Sequence, residues 1–422
     1  MAFLKMYQSN SKQQRIYYGY IVVAAASLIM LVVFGAYTAF GVFYKPVLTD
    51  FGWTRAMTAG AFSLSMIIYG LLGIFMGGLN DKIGPRFVST LCGASIGLGF
   101  ILMSIVNSIW QLYLFFGVIV GIGMSCCWVP LLSTVARWFS KRRSLMSGIV
   151  LAGTGTGVMG GPLLASWLIS IYEWRRSFII MGAMVLVIVI IAAQFLKRDP
   201  SKIGLLPYGE NQAETKQLSS DVTGFTIKEA ANTRQFWLCF GMLFCFGYVM
   251  FTVMVHIVAH ATDMGLPPTK AANVLATIGG LIIISRVVMG AVGDKIGNRP
   301  IFIICFVAMS AALLFLVPAR TVWMLYYFAV VYGFAQGGIG TSESPFITDL
   351  FGLKAHGLIF GIIVLGATLG GTAGPFFSGY IFDITGSYQL AFVVCAALSI
   401  IGLVLTLVVK PLNSKYMKKV NP

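Results

Sequence analysis

A chain of 422 residues that is 58% apolar and only 10% charged, with a mean hydropathy of +0.89, is excluded from the ordinary soluble domains. Its net charge of +16 would suit nucleic acid, but the basic residues are spread through short connections between apolar segments, so no nucleic-acid partner is expected. Seven cysteines, at positions 92, 126, 127, 239, 245, 305 and 395, lie in those apolar segments without metal-ligand spacing; they read as reduced packing residues, and no metal or cofactor is predicted.

The apolar segments have helix length and lack the short alternation of an outer-membrane barrel. A polar, basic leader runs into the first of them without a small-residue cleavage site, so a cleaved signal peptide is not expected. About 20 apolar residues cross a bilayer. On that scale the sequence predicts twelve spans, at 17–44, 57–80, 87–107, 109–135, 144–170, 177–196, 235–262, 270–293, 300–318, 321–347, 356–380 and 388–410. An even number places both termini on one side. That side collects most of the 29 basic residues, leaving only Lys45, Arg55, Arg175, Arg176, Lys270 and Arg320 opposite and Arg286 inside a span. The positive-inside rule then predicts a multi-pass protein of the cell's inner (plasma) membrane with both termini cytoplasmic.

Residues 197–234 form the one long polar connection, read as a cytoplasmic linker with room for a short amphipathic helix. The expected organisation is therefore a six-helix bundle over 1–196, the linker, and a second six-helix bundle over 235–422. The halves repeat. Gly77-Gly-Leu-Asn-Asp81-Lys82-Ile-Gly84-Pro-Arg86 after span two matches Gly290-Ala-Val-Gly-Asp294-Lys295-Ile-Gly297-Asn-Arg299 after span eight, a separation of 213 residues. Gly148 and Gly361 keep the same separation, as do Pro162 and Pro375. Duplicated bundles of this kind are a transporter arrangement with substrate bound near the midplane between them.

On these residues the chain resembles the major facilitator superfamily along nearly its whole length, the motif between spans two and three being that family's most specific signature. The resemblance implies an all-α membrane fold of twelve helices in two pseudo-symmetric bundles. Within the motif, the aspartate can accept from helix N-terminal amides and basic neighbours, so Asp81, Arg86, Asp294 and Arg299 are assigned to gating. The glycine-rich stretches GIVLAGTGTGVMGGP in span five and GIIVLGATLGGTAGP in span eleven resemble an antiporter-associated motif, but small residues ending in Gly-Pro also serve close packing and bending.

Span eight carries the one buried cation. Between Lys270 and Asp294 the only charged side chain is Arg286, about 12 Å inside the apolar run from the Asp294 end. An arginine there costs about 2.5–3.5 kcal/mol on insertion scales and faces a cavity or partner rather than lipid. Its repeat position is Gly73, and scaffold features should occur in both halves, so a cation in one half points to function. The planar guanidinium fork suits a carboxylate. The surrounding Arg286-Val-Val-Met-Gly290, the Tyr18-Gly-Tyr20 and Tyr44-Lys-Pro46 stretches, Phe51-Gly-Trp53 and Asp349-Leu-Phe351-Gly resemble the oxalate/formate antiporter and monocarboxylate transporter group. The oxalate carrier pairs the span-eight arginine with a lysine in span eleven, whereas Ile363 stands there and residues 358–382 contain no Lys or Arg. One cation balances one carboxylate, and a second would enter uncompensated. A small monocarboxylate of the lactate, pyruvate, acetate and formate class is the expected substrate.

Coupling requires a titratable group. His256, His260 and Asp263 share one face of span seven at i, i+4 and i+7. Monocarboxylate transporters pair a membrane aspartate with the arginine and move a proton with the anion, and by that resemblance Asp263 is the candidate here, although a straight hairpin puts it about 20 Å from the level of Arg286. Tyr37, Tyr332 and Tyr113 are candidates to complete the substrate site with polar tips, and Glu343 in span ten is a candidate gate or second proton site. Proton-coupled symport by alternating access leads, with a monomer as the expected working unit. Organic-anion exchange, multidrug export and a non-transporting organic-acid receptor are the competing readings. No nucleophile–base spacing, metal cluster or nucleotide loop points to an enzyme.

Overall fold

The computed structural model describes residues 17–53, 55–209, 224–266 and 268–410. The leader before residue 17, most of the linker's middle and the last twelve positions, with the basic residues counted on them, lie outside the described residues.

Among the described residues there are eleven helices long and apolar enough to cross a membrane. Ten correspond to one predicted span each. The eleventh, Arg143–Gln194, has 52 residues, about 78 Å of helix and far more than one bilayer needs. It breaks at Glu173, whose φ of 65° and ψ of 166° lie outside the helical region, so its two arms are spans five and six. The helices are therefore α1 (Tyr18–Phe51), α2 (Arg55–Ile83), α3 (Pro85–Met103), α4 (Ile109–Trp138), α5 and α6 (the arms of Arg143–Gln194), α7 (Arg234–Asp263), α8 (Pro268–Ile296), α9 (Asn298–Leu316), α10 (Val322–Phe351), α11 (His356–Thr385) and α12 (Gln389–Val408). The predicted all-α architecture of twelve helices in two six-helix bundles is what the chain forms. Outside the helices, the extended pairings among the described residues are two isolated bridges, Phe139 with Tyr208 and Gly224 with Gly352.

Both halves turn the same way. Gly84 joins α2 to α3 with φ 102°, and Gly297, its repeat mate, joins α8 to α9 with φ 88°. A side chain there would be strained, which is why the motif carries glycine at this step. The face on which α1 begins and α12 ends also carries both motifs and is called the basic face below. Each bundle has its own aromatic core: Phe40 stacks on Phe116 at 3.9 Å in the first, and Phe302 packs on Phe346 at 5.0 Å in the second. Large apolar side chains such as Phe75, Leu163 and Phe376 point outward, as a lipid-facing surface requires.

The linker is pinned at both described ends. Tyr208 N donates to Trp138 O at 2.9 Å while Ser140 N and Lys141 N donate to Tyr208 O, tying it to the α4–α5 turn of the first bundle. Phe225 N donates to Phe351 O at 2.9 Å, tying it to the end of α10. A single-turn helix, Ile227–Ala231, follows, closed by a capping box in which Glu229 receives Thr226 N at 2.6 Å. That backbone hydrogen bond holds the Glu229 carboxyl below the usual range.

Candidate functional site

Two groups of contacts join the bundles on the basic face, and they obey the repeat. Asp81, at the end of α2, accepts from Leu358 N at the start of α11 (3.3 Å), and Asp294, at the end of α8, accepts from Ser144 N (2.8 Å) and Leu145 N (3.0 Å) at the start of α5. Positions 81 and 294, and 145 and 358, differ by the same 213 residues. In each case a carboxylate of one bundle caps the N-terminus of a helix in the other, satisfying amides that have no intrahelical partner and meeting the positive end of the helix dipole.

The two latches are not equal in charge. Arg137 of α4 donates to Asp81 at 3.0 Å, to Leu353 O at 2.8 Å and to Asp199 at 3.4 Å, and its side chain is 3% exposed. Among the described residues the Asp294 side has no such buried cation: Ser144 Oγ donates to Asn298 (2.7 Å), Asn298 donates to Asp349 (2.8 Å), and Arg143, more exposed than Arg137, pairs with Asp349 at 3.5 Å. Arg86 and Arg299 stand one step aside. Arg86 donates to Gln194 O and Arg299 to Leu407 O, both at 2.8 Å, so each clips the last helix of its own bundle.

Backbones touch where these latches close. A Cβ added at Gly77 would sit 2.3 Å from Gly357 O, and one at Gly148 would sit 2.1 Å from Arg286 O. Glycine at those positions is what lets α2 reach α11 and α5 reach α8. Farther from the basic face, Ser63 of α2 and Leu369, Thr372, Ala373, Pro375 and Phe376 of α11 line a cleft between the bundles. The molecule is closed on the basic face.

Arg286 lies at this interface, about two turns deeper than Asp294 of the latch. It is half-buried, and its Nη1 donates to Leu151 O (2.5 Å) and to Thr154 Oγ1, both on α5. Its backbone oxygen accepts from Thr341 Oγ1 of α10 at 3.3 Å. Its Nε is buried and has no hydrogen-bond partner among the described residues. Glu343, two residues beyond Thr341 and 5% exposed, acts on Arg286 electrostatically. Trp128 of α4 and Tyr69 of α2 neighbour the same carboxyl group. Arg286 stands eight residues before Asp294, and Glu343 eight before Phe351. Both therefore sit about 12 Å inside the basic face.

The other sequence-derived candidates are placed elsewhere. Tyr37 is 5% exposed, bonded to Ser65 Oγ at 2.9 Å and stacked on Phe62 within the first bundle. Tyr332 is fully buried in the second, its hydroxyl donating to Val249 O at 3.4 Å. Tyr113 lies against Gly60, where any added side chain would strike its hydroxyl. His256 bonds to Pro375 O (3.0 Å) and to the Tyr388 hydroxyl (3.2 Å). Because a carbonyl only accepts, Nε2 carries a hydrogen. His260 packs edge-on against Phe392 and is buried at Nε2 without a partner among the described residues. Asp263 ends α7, exposed, at the end away from the basic face.

The family model for the Major Facilitator Superfamily matches residues 26–292 and 265–422. The chain belongs to the Major Facilitator Superfamily. It is a membrane transporter of the secondary class and not an enzyme. This superfamily member is 28% identical to monocarboxylate transporter 13 of Rattus norvegicus over 398 residues, covering 91% of this chain and 87% of that protein. It is 27% identical to monocarboxylate transporter 4 of Gallus gallus over 366 residues, covering 84% and 75%. Among solved structures it resembles the E. coli fucose:proton symporter FucP (TM-score 0.69, 15% identity, 92% and 98% covered) and the proton:xylose symporter XylE (TM-score 0.72, 13% identity, 92% and 94% covered). At those identities the structures establish the shared fold.

Arg137, Trp128 and Tyr69 are the residues of this superfamily member's interface that the sequence did not single out. For Arg137 a signal existed. Its repeat position is Leu350, the same one-sided pattern that marks Arg286. Trp128 and Tyr69 carry no such mark, because an aromatic on an apolar helix looks the same whether it faces lipid, core or cavity.

Proposed function

We propose that the chain is a proton-coupled symporter of small monocarboxylates of the lactate, pyruvate, acetate and formate class, working by alternating access as a monomer in the plasma membrane with the basic face cytoplasmic. The observation that carries this reading is Arg286, a guanidinium of α8 anchored across the interface to α5 through Nη1, with Nε unpartnered among the described residues. A carboxylate received at Nε is gripped by α8 and, through the anchored Nη1, communicates with α5 across the interface that must open and close. Monovalence follows from charge. The position of the expected second cation is Ile363, fully buried, and α11 contains no Lys or Arg. A dicarboxylate would leave one charge unpaired at a cost of several kcal/mol. The names of the curated relatives agree with this substrate class. Asp263, with His260 and His256 behind it on α7, is placed to receive protons at the outer mouth, and Asp81 and Asp294, with Arg86 and Arg299 bracing their bundles, form the inner gate.

The test is uptake by purified protein in proteoliposomes with an imposed pH gradient, offering the four monocarboxylates, oxalate, succinate and a lipophilic cation. Accumulation of a monocarboxylate under an acid-outside gradient supports the reading. Exchange that ignores the gradient would favour an organic-anion exchanger instead, and binding without flux would favour a receptor.

A further inference from the structure

We propose that His356 is a cytoplasmic pH sensor built into the inner gate: its imidazole takes up a proton only when the basic face opens, so acid on that side holds the gate open. This rests on the alternating-access reading and the cytoplasmic placement of the basic face above, and not on the identity of the substrate. His356 begins α11, at the joint between the bundles, and is 0% exposed. Its Nε2 hydrogen-bonds with Ser344 Oγ of α10 at 3.1 Å, its ring stacks on Phe360, and Nδ1 is buried without a partner among the described residues. Contacts that join the bundles surround it. Three residues before it, Leu353 O accepts from Arg137 of α4 at 2.8 Å, and two residues after it, Leu358 N donates to Asp81 of α2 at 3.3 Å. Ser344 Oγ itself reaches Leu132 O of α4 at 3.5 Å. The ring is shut away by the same contacts that close the basic face. Its repeat position is Arg143, charged at every working pH, so the titratable member of the pair belongs to one half only.

A neutral imidazole fits this place and an imidazolium does not. The protonated ring carries hydrogens on both nitrogens, which would leave Nδ1–H without an acceptor and a buried charge without a counter-ion. It would also stand in the first turn of α11, where the positive end of the helix dipole opposes a cation. The neighbouring charges offer no relief. Asp81 is taken by Arg137 and Leu358 N, Asp199 by Arg137 and Arg198, and Asp349 by Arg143 of α5 and Asn298 of α9. Glu343 adjoins Ser344 on α10, Lys354 is exposed on the α10–α11 turn, and Glu229 caps the linker's single-turn helix. None of the three reaches a ring nitrogen, since Nε2 is on Ser344 and Nδ1 has no partner. When the bundles part, water replaces these contacts and the ring titrates in the ordinary imidazole range, near about pH 6.5. Protons then bind the open form alone. The preference for closure is fully present above that range and falls about tenfold per pH unit below it. For a carrier that brings protons in with its substrate the effect is self-limiting: an acidified cytoplasm keeps the inner gate open and delays the carrier's return to the outward-facing form.

The experiment uses full-length protein in lipid nanodiscs without substrate, spin-labelled at cysteines introduced at the exposed Lys82 and Lys295 of opposite bundles. The ratio of short-distance to long-distance populations is followed from about pH 8 to about pH 5.5. Three proteins are compared: the labelled parent, His356→Gln, and His256→Gln with His260→Gln, which removes the other two of the three histidines. In the parent the ratio should fall about tenfold between about pH 7.5 and 5.5, as one proton binding the open form near about pH 6.5 requires. His356→Gln keeps an amide in reach of Ser344 but cannot titrate, and its ratio should change less than about twofold. The double variant should respond as the parent does. A His356→Gln protein that still opens on acidification overturns the assignment, and so does a parent ratio that stays flat over the range. An acid response lost in the double variant overturns it as well. Should His356→Gln fold poorly, His356→Lys decides: a face held open at about pH 8 sustains the proposal, and closure matching the parent overturns it. Lactate plays no part in this readout. A protein that shows the expected pH response yet moves no monocarboxylate sustains the sensor and fails the functional reading.

Discussion

Asparagine in place of Asp81 should open the basic face far more readily than asparagine in place of Asp294. At Asp81 the carboxylate pairs with Arg137, whose side chain is 3% exposed, so its removal leaves a buried guanidinium with only Leu353 O and a 3.4 Å contact to Asp199. Breaking a buried pair in this way costs about 3–5 kcal/mol. Even the lower figure shifts the closed-to-open ratio about 150-fold. Asp294 is exposed and accepts from two amides, where water competes. Its loss should cost about 1–2 kcal/mol, a factor of about 5–30. The assay is a spin-label distance distribution between cysteines introduced at the exposed Lys82 and Lys295, on opposite bundles. All seven native cysteines are buried, so labelling is confined to the introduced pair. The short-distance population should collapse in Asp81→Asn and persist, reduced, in Asp294→Asn. Equal responses, or a larger one from Asp294→Asn, would refute the unequal-charge account of the latch.

Further outcomes follow from the same geometry. Arg286→Lys should lower lactate uptake by about two orders of magnitude despite keeping the charge, because an ammonium cannot hold α5 and a carboxylate edge together; initial-rate uptake by protein of matched stability checks this. Gly148→Ala should disfavour the closed form, since its Cβ would lie 2.1 Å from Arg286 O, and the spin-label pair should report longer distances at a cost of about 1–3 kcal/mol to closure. Oxalate and succinate should compete with labelled lactate at least about tenfold more weakly than acetate does. Oxalate binding as tightly as lactate would remove the one-cation account.

The fold was open to reading because its signals are local or repeated. Span length, loop charge and the 213-residue echo need no knowledge of packing, and Arg286 stood out because nothing else between Lys270 and Asp294 is charged. What could not be read is direction around a helix axis and partners made of backbone. Tyr37 has the right depth, yet it turns toward Phe62 and Ser65 inside its bundle. The partners of Asp81 and Asp294 are amides of Leu358, Ser144 and Leu145, which no side-chain pattern announces. The short gap expected between spans five and six is a bend at Glu173 inside a continuous helical run, because a single residue leaving the helical region suffices to turn the chain.

The most direct test of the account is lactate accumulation in proteoliposomes, with the pH gradient and the membrane potential set independently. With acid outside and the potential clamped at zero, the wild type should concentrate lactate severalfold, and imposing a potential of either sign should leave that level unchanged, since one proton travels with one anion past Arg286. Accumulation that follows the potential, or that survives intact in Arg286→Ala, would contradict it.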